Sequence, residues 1–336
     1  MMSAELRKVT VLGAGMWGRT IATLLAKNNI EISMWDIRSD LTDELNQFFT
    51  QMKSNGHNFV VQPEFQSDLT ESLNETDLVL IVLPSSVVRK VTTQLKNSIQ
   101  KNCKVLIASK GIEESGDKFS LMSEVVKSEL GDDYSIGVLS GPNLSLEIQA
   151  RHPAVTLIAS DDNSLIDTCM KLLASEMFRV YGSSDVIGVQ IGGAVKNVIA
   201  LAAGMVDELG FAYNTKAALL TRGLVEITRI GKKMGGDEKT FSGISGLGDL
   251  ICTASSPTSR NYRAGRLFGS GKKREEIINE IGQVIEGISN SKTINKLSDK
   301  TKIEMPISKG VYRIVWEDES PLKAIKDLMN RDLKFE

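Results

Sequence analysis

The chain has 336 residues, 41% hydrophobic and 24% charged, a balance ordinary for a globular protein with room for two domains. Its formal net charge of −2 gives no general attraction for nucleic acid or an anionic membrane surface. Cys103, Cys169 and Cys252 are isolated and odd in number, so neither a disulfide framework nor a CxxC metal site is expected. Free thiols in a reducing, cytoplasmic compartment fit that pattern. The start, MMSAELRKVTVLG, runs into a strand without the look of a targeting peptide. His57 and His152 lack ligand-like spacing, so no metal is expected and acid/base work falls to Lys, Asp or Glu.

Lys8 to Leu12 reads as a buried strand, followed at once by Gly13-Ala14-Gly15-Met16-Trp17-Gly18. Arg19 to Asn28 reads as a helix, and Glu31 to Asp36 as a second strand ending in an acid. G-x-G-x-x-G carries meaning in this context of strand, glycine turn, helix, strand and acid. Gly13 allows the tight turn, Gly15 lets backbone approach a pyrophosphate, and Gly18 permits close helix–strand packing. The helix N-terminus then offers free N–H groups to phosphates. Asp36, 23 residues beyond Gly13, can accept from a ribose 2′-OH, which favours NAD. Arg38 could instead meet a 2′-phosphate, so NADP stays open.

The alternation continues with a helix over Leu41–Asn55, a strand over Asp77–Leu83 and a helix over Ser85–Lys96. A strand over Val105–Ser109, a helix over Phe119–Leu130 and a strand over Ser135–Leu139 come next. Ala154–Ser160 and Phe178–Tyr181 are the last strands, with a helix over Ser164–Leu173 between them. The continuous apolar strand DLVLIVL suits a parallel sheet covered on both faces. In such sheets ligands bind beyond the carboxyl ends of the strands, where Pro84, Ser85, Lys110, Gly141 and Asn143 fall.

After Tyr181 the strand signals stop. Val186 to Val206 holds 21 residues and one charge, Lys196, with Gly192, Gly193, Ala194, Ala200, Ala202, Ala203 and Gly204 thinning it. At about 1.5 Å per residue it spans roughly 30 Å, enough for a small domain or a bilayer. Gln190, Lys196 and Asn197 near its centre argue against a membrane span, since a central lysine costs about 2.5–3.5 kcal/mol even on lenient scales. Lys196 either snorkels toward water or a carboxylate, or serves as an acid/base whose charged form burial disfavours. A long helix over Thr215–Met234 follows, then the small-residue run Thr240 to Asp249, then the basic turn Ser259-Arg260-Asn261 and helices to the end. Arg260 with Ser259 and Asn261 makes a natural grip for phosphate or carboxylate. Asp249 could cap a helix, pair with a cation, or orient Lys196. The change from βα alternation to helices sets domains at 1–185 and 186–336, an α/β dinucleotide-binding domain and an all-α domain. The Lys196 helix is expected at the seam.

These motifs, in this order, resemble the NAD(P)-dependent glycerol-3-phosphate dehydrogenase family. The matching stretches are GAGMWG (13–18), VLPSSVVR (82–89), SKGIE (109–113), SGPNLSLEI (140–148) and VQIGGAVKNVIALAAG (189–204). AALLTRGLVEITRIGKKMGG (217–236), FSGISGLGDLICT (241–253), SRNYRAG (259–265), QVIEG (283–287) and MPISKGVYRIVWE (305–317) follow, so nearly the whole chain is covered. The resemblance implies a Rossmann-type domain followed by an all-helical one, a homodimer, and Lys196 as proton donor and acceptor. It implies that Lys110, Gly141, Asn143, Asp249, Ser259, Arg260 and Asn261 contact substrate, to which Asn197 beside Lys196 is added as a candidate. It places Trp17, Arg38, Lys110, Ser145, Arg260, Val284 and Glu286 at the cofactor, together with Gly13, Gly15, Met16, Gly18 and Asp36 of the motif itself. Met16 stands where a small residue is common, Ser145 where Ala is usual, and Asp36 where Arg or His often stands without an acid.

The implied reaction interconverts dihydroxyacetone phosphate and sn-glycerol 3-phosphate with NAD(P)H, feeding glycerophospholipid synthesis. Two alternatives stay open on the sequence alone. One is a β-hydroxyacid or 6-phosphogluconate dehydrogenase relative, against which the SRN turn and GLGDL argue. The other is a non-catalytic dinucleotide sensor, which would have no reason to keep Lys196, Asp249 and Arg260 together.

Overall fold

The structure, a computed structural model, describes residues 6–333 and Phe335. The chain divides into two compact units. One runs up to Lys110 and takes up again over Ser120–Val186; the other comprises Gly111–Phe119 and the chain from Ile187 onward.

The first unit is built on one sheet. Its strands are β1 (Lys8–Leu12), β2 (Glu31–Trp35), β3 (Glu64–Gln66), β4 (Leu78–Ile81) and β5 (Lys104–Ile107). Beyond the short hairpin of β6 (Ile112–Ser115) and β7 (Lys118–Leu121) come β8 (Ile136–Ser140), β9 (Ala154–Ser160) and β10 (Phe178–Ser183). The sheet order is β10-β9-β8-β5-β4-β1-β2-β3. From β3 to β8 the pairs are parallel, with the order reversing beside β1, where doubly wound sheets bind ligands. β9 runs antiparallel to β8, so the sheet is not parallel throughout as the apolar runs suggested. β1 and β4 are buried at every position, because helices cover both faces. Ile21, Leu25, Ile32, Met34, Leu80, Leu106 and Phe178 form the centre of that core.

Several elements depart from the sequence reading. The first helix begins at Met16 rather than Arg19, so Trp17 and Gly18 lie inside its first turn. Ser85–Val87 form a 3₁₀ turn before the helix Val88–Leu95. The helix expected from Phe119 starts at Met122, because Phe119 belongs to β7. Neither β3 nor the hairpin was expected.

The second unit is helical apart from that hairpin. Its axis is the helix Val186–Glu208, buried from Gly188 to Val206. Among the described residues it alone is long and apolar enough to cross a membrane, yet 89% of its most apolar window is buried inside the protein. The small residues account for this. A Cβ on Gly204 would sit 2.1 Å from the Tyr262 carbonyl oxygen, and one on Gly192 2.9 Å from that of Ser245. Neighbouring backbones therefore lie directly on the helix surface. Residues Ile244–Gly248 form a π-helical turn that leads straight into the helix Asp249–Ser255. The hairpin is pinned to the helix Glu286–Thr301 by an ion pair of Lys296 with Glu114. Lys300 adds a hydrogen bond to the Asp117 carbonyl and lies over the Phe119 ring.

Candidate functional site

In the first unit the candidate residues gather at the carboxyl ends of the parallel strands. The three glycines divide the labour physically. Gly13 has φ +108°, and a Cβ there would meet the Val82 carbonyl oxygen at 2.5 Å. Gly18 lies so near the turn that a Cβ would fall 1.9 Å from the Gly13 oxygen. Gly15 is different: nothing lies within 4 Å of its would-be Cβ. The open side of the turn is thus at Gly15, with Met16 exposed and Trp17 half-buried beside it. This is a cradle whose shape and N–H groups fit a pyrophosphate.

Asp36 stands one residue past β2, and its carboxylate is engaged with the protein. One oxygen accepts from the Ala14 N–H at 2.9 Å; the other accepts from both the N–H and Nε of Arg38 at 3.2 Å. The acid expected at the ribose therefore also closes the glycine turn and holds an exposed arginine. Lys110, at the end of β5, donates to the Gly141 carbonyl at 3.4 Å, linking the ends of β5 and β8. The Asn143 amide is committed inside the unit, donating to the Val155 carbonyl and accepting from Thr156 Oγ1, both at 2.9 Å. Ser145 opens the five-residue helix Ser145–Gln149.

In the second unit the buried lysine has partners. Lys196 Nζ donates to Asp249 Oδ1, and to Thr253 Oγ1 at 2.7 Å. Thr253 in turn lies 3.3 Å from the same Asp249 oxygen. Lys196 is 4% exposed and Asp249 1%. The ammonium thus ends on a carboxylate as deeply buried as itself. Asp249 opens the helix Asp249–Ser255, and its carboxylate takes the role of the cation's partner. Asn197, the next residue, accepts from Asn261 Nδ2 at 2.9 Å, and Asn261 Oδ1 accepts from the Gly287 N–H at 2.8 Å.

Ser259 is a helix cap: its Oγ accepts from the Tyr262 N–H at 3.3 Å. Arg260 and Asn261 thereby occupy the first two positions of the helix Arg260–Gly269, the end that favours an anion. Arg260 is exposed and anchored by one N–H to the Val284 carbonyl at 2.8 Å. Val284 is itself exposed, and Glu286, half-buried, opens the helix Glu286–Thr301 two residues later.

Sequence reasoning missed Thr253. The signal was present, since Thr253 follows Asp249 by four residues and so shares its face of a helix. It also missed Arg19, whose buried guanidinium donates to the Ala14 carbonyl at 2.7 Å. Among the described residues no group of His, Cys, Asp and Glu could hold a metal ion.

Two family models together span most of the chain. Residues 8–166 match NAD-dependent glycerol-3-phosphate dehydrogenase N-terminus, and residues 185–326 match NAD-dependent glycerol-3-phosphate dehydrogenase C-terminus. A glycerol-3-phosphate dehydrogenase (NAD(P)+) of Thermoanaerobacter sp. (strain X514) is 43% identical over 336 residues, covering 98% of each chain. The Bacillus subtilis (strain 168) enzyme of the same name is 39% identical over 330 residues, covering 97% of this chain and 95% of its own. The crystal structure of glycerol-3-phosphate dehydrogenase from Coxiella burnetii superposes with a TM-score of 0.89 at 35% identity, covering 97% of this chain and 99% of that one.

Proposed function

We propose that this chain, which belongs to the NAD-dependent glycerol-3-phosphate dehydrogenase family, interconverts dihydroxyacetone phosphate and sn-glycerol 3-phosphate. The observation that carries the chemistry is a buried lysine held by a buried carboxylate and a hydroxyl. NAD or NADP, when bound, supplies or takes the hydride. The Gly13–Gly18 turn and the N-terminus of the helix Met16–Leu25 would hold its pyrophosphate. Asp36 and Arg38 would meet the ribose.

The chain's own residues do the rest. In the reducing direction Lys196, as ammonium, hydrogen-bonds the C2 carbonyl oxygen and gives it a proton as charge develops there. The opposite direction returns that proton to the neutral amine. Asp249 keeps the ammonium charged and, with Thr253, fixes its direction. Asn197, held by Asn261, stands beside it for a substrate hydroxyl. Arg260 and the first turn of its helix grip the phosphate, and that remote binding positions the carbonyl. Lys110, Gly141 and Asn143 complete the substrate contacts. On this reading residues 1–185 form the nucleotide domain and residues 186–336 carry the proton donor and the phosphate grip, in a cytoplasmic homodimer that supplies glycerol 3-phosphate for glycerophospholipid synthesis.

Two comparisons test this reading. Purified protein should oxidise NADH or NADPH only when dihydroxyacetone phosphate is added, and Lys196→Ala should lose most of kcat while still binding dinucleotide. Unphosphorylated dihydroxyacetone should react poorly. Equal specificity constants for the two ketones would overturn the phosphate grip, and dinucleotide binding without turnover on the phosphate would favour a sensor.

A further inference from the structure

Arg19 is a buried cation that the reaction above leaves unused. It sits one residue past the last glycine of the turn, in the helix Met16–Leu25, and is 8% exposed. Its Nε donates to the Ala14 carbonyl at 2.7 Å, and its own backbone N–H donates to the Gly15 carbonyl at 3.0 Å. One residue therefore holds two successive carbonyls of the turn. A terminal nitrogen of its guanidinium pairs with Glu44 at 2.6 Å, and the guanidinium packs 5.7 Å from the centre of the Phe48 ring. Both partners lie on the helix Thr42–Ser54, which fixes the guanidinium from the far side.

The consequence follows from peptide geometry. In a trans peptide the C=O and the next N–H point in opposite directions. With the Ala14 carbonyl turned toward buried Arg19, the Gly15 N–H faces the other way. With the Gly15 carbonyl drawn along the helix, the Met16 N–H faces out of its N-terminus. Among the described residues neither N–H meets a protein acceptor. Both border the side of Gly15 that has nothing within 4 Å of a Cβ.

We propose that Arg19 is a positioning residue for dinucleotide binding: through the Ala14 carbonyl, braced by Glu44, it aims the Gly15 and Met16 N–H groups at the pyrophosphate. The inference rests on the reading that this turn binds a dinucleotide. The guanidinium also places a positive charge beneath the turn, which adds to the field of the helix N-terminus. Lysine cannot fill the role fully, because its single nitrogen lacks the fork that serves Ala14 and Glu44 at once.

Titration calorimetry of wild type, Arg19→Met, Arg19→Lys and Glu44→Gln with NADH, ADP-ribose and adenosine tests this. Wild type that binds neither NADH nor NADPH sinks the dinucleotide reading itself, and if only NADPH binds it takes the place of NADH in every comparison. Given wild-type binding, Arg19→Met should weaken NADH and ADP-ribose about tenfold and leave adenosine unchanged, a loss in the range of one charge-assisted hydrogen bond. Arg19→Lys and Glu44→Gln should show smaller losses of the same selectivity. At saturating NADH, kcat and the KM for dihydroxyacetone phosphate should stay at wild-type values, which a general loosening of the fold would not leave intact. A folded variant that binds NADH and ADP-ribose like wild type overturns the inference, as does equal weakening of adenosine. If Arg19→Met does not fold, the same titrations of the two milder variants decide the question.

Discussion

Asp249→Asn isolates the charge of the carboxylate from its shape. The amide keeps an oxygen for Lys196 Nζ, and Thr253 Oγ1 remains at 2.7 Å, so the lysine should keep its place. What disappears is one negative charge beside an ammonium in surroundings where the two side chains are 5% and 2% exposed. Two unit charges about 4 Å apart at an effective dielectric of about 20 interact by about 4 kcal/mol. Losing it lowers the lysine's affinity for its proton, because burial then acts on the ammonium unopposed. Breaking a buried pair also destabilises a fold, by about 3–5 kcal/mol. The assay is the pH dependence of kcat/KM for ketone reduction, run from about pH 6 to about pH 10, where the alkaline limb reports loss of the proton donor. The alkaline limb of Asp249→Asn should move to lower pH, on the same electrostatic reasoning. An unmoved limb in a folded variant would show that Asp249 does not set the charge of Lys196, and the proton-donor assignment would fall with it.

Four further outcomes follow from other parts of the molecule. Gly15→Ala should leave the thermal midpoint unchanged, because nothing lies within 4 Å of the new methyl, yet raise the KM for NADH. Gly204→Ala should do the reverse, losing about 1–3 kcal/mol of stability against the Tyr262 carbonyl while leaving that KM alone. Arg38→Ala should raise the KM for NADPH roughly tenfold and that for NADH much less, on the value of one charged hydrogen bond to a 2′-phosphate; a matched rise would remove Arg38 from cofactor choice. Glu226 is buried and accepts from the backbone of Ile307 and Ser308 and from the Ser308 hydroxyl. Burial pushes its carboxyl above the ordinary 4.5, while those hydrogen bonds pull it back. A carboxyl that takes its proton more readily in the folded chain favours the fold most at low pH. That advantage fades as pH climbs past the unfolded value toward the folded one. The stability of wild type relative to Glu226→Gln, measured by urea melts, should therefore fall as pH rises above 4.5, and a rise would mean that the hydrogen bonds outweigh burial.

The sequence disclosed those features whose cause is local. The β1–turn–helix–β2 run was legible because its strands are largely apolar and its glycines fall at a fixed spacing between strand and helix. Gly18 misled only about the start of the helix, since glycine is a poor helix former and its reason for being there, the Gly13 oxygen, lies across the turn. β3 escaped notice because three half-exposed residues carry no periodicity. The hairpin had its Ser-Gly-Asp turn, but four-residue strands gave little to count and Phe119 read equally well into the next helix. For the candidate site, Lys196 and the basic turn stood out as residue types in unusual company. Asp249 was named as one possible partner of Lys196, but not singled out from its other roles, because it lies 53 residues away and only folding brings the two together. The same holds for Asn143 and Ser259, whose local duties as a strand-end clamp and a helix cap no motif revealed.

The hairpin sets a schedule for synthesis. Gly111–Phe119 leaves the ribosome early, yet the lysines that secure it, Lys296 and Lys300, stand 182 and 183 residues downstream of their partners. Until they emerge, the chain carries a small ribbon whose binding surface has not been made. An expression clone cut at residue 187 would therefore encode a helical body with an empty berth, and supplying the ribbon as a separate peptide should restore what the cut removed.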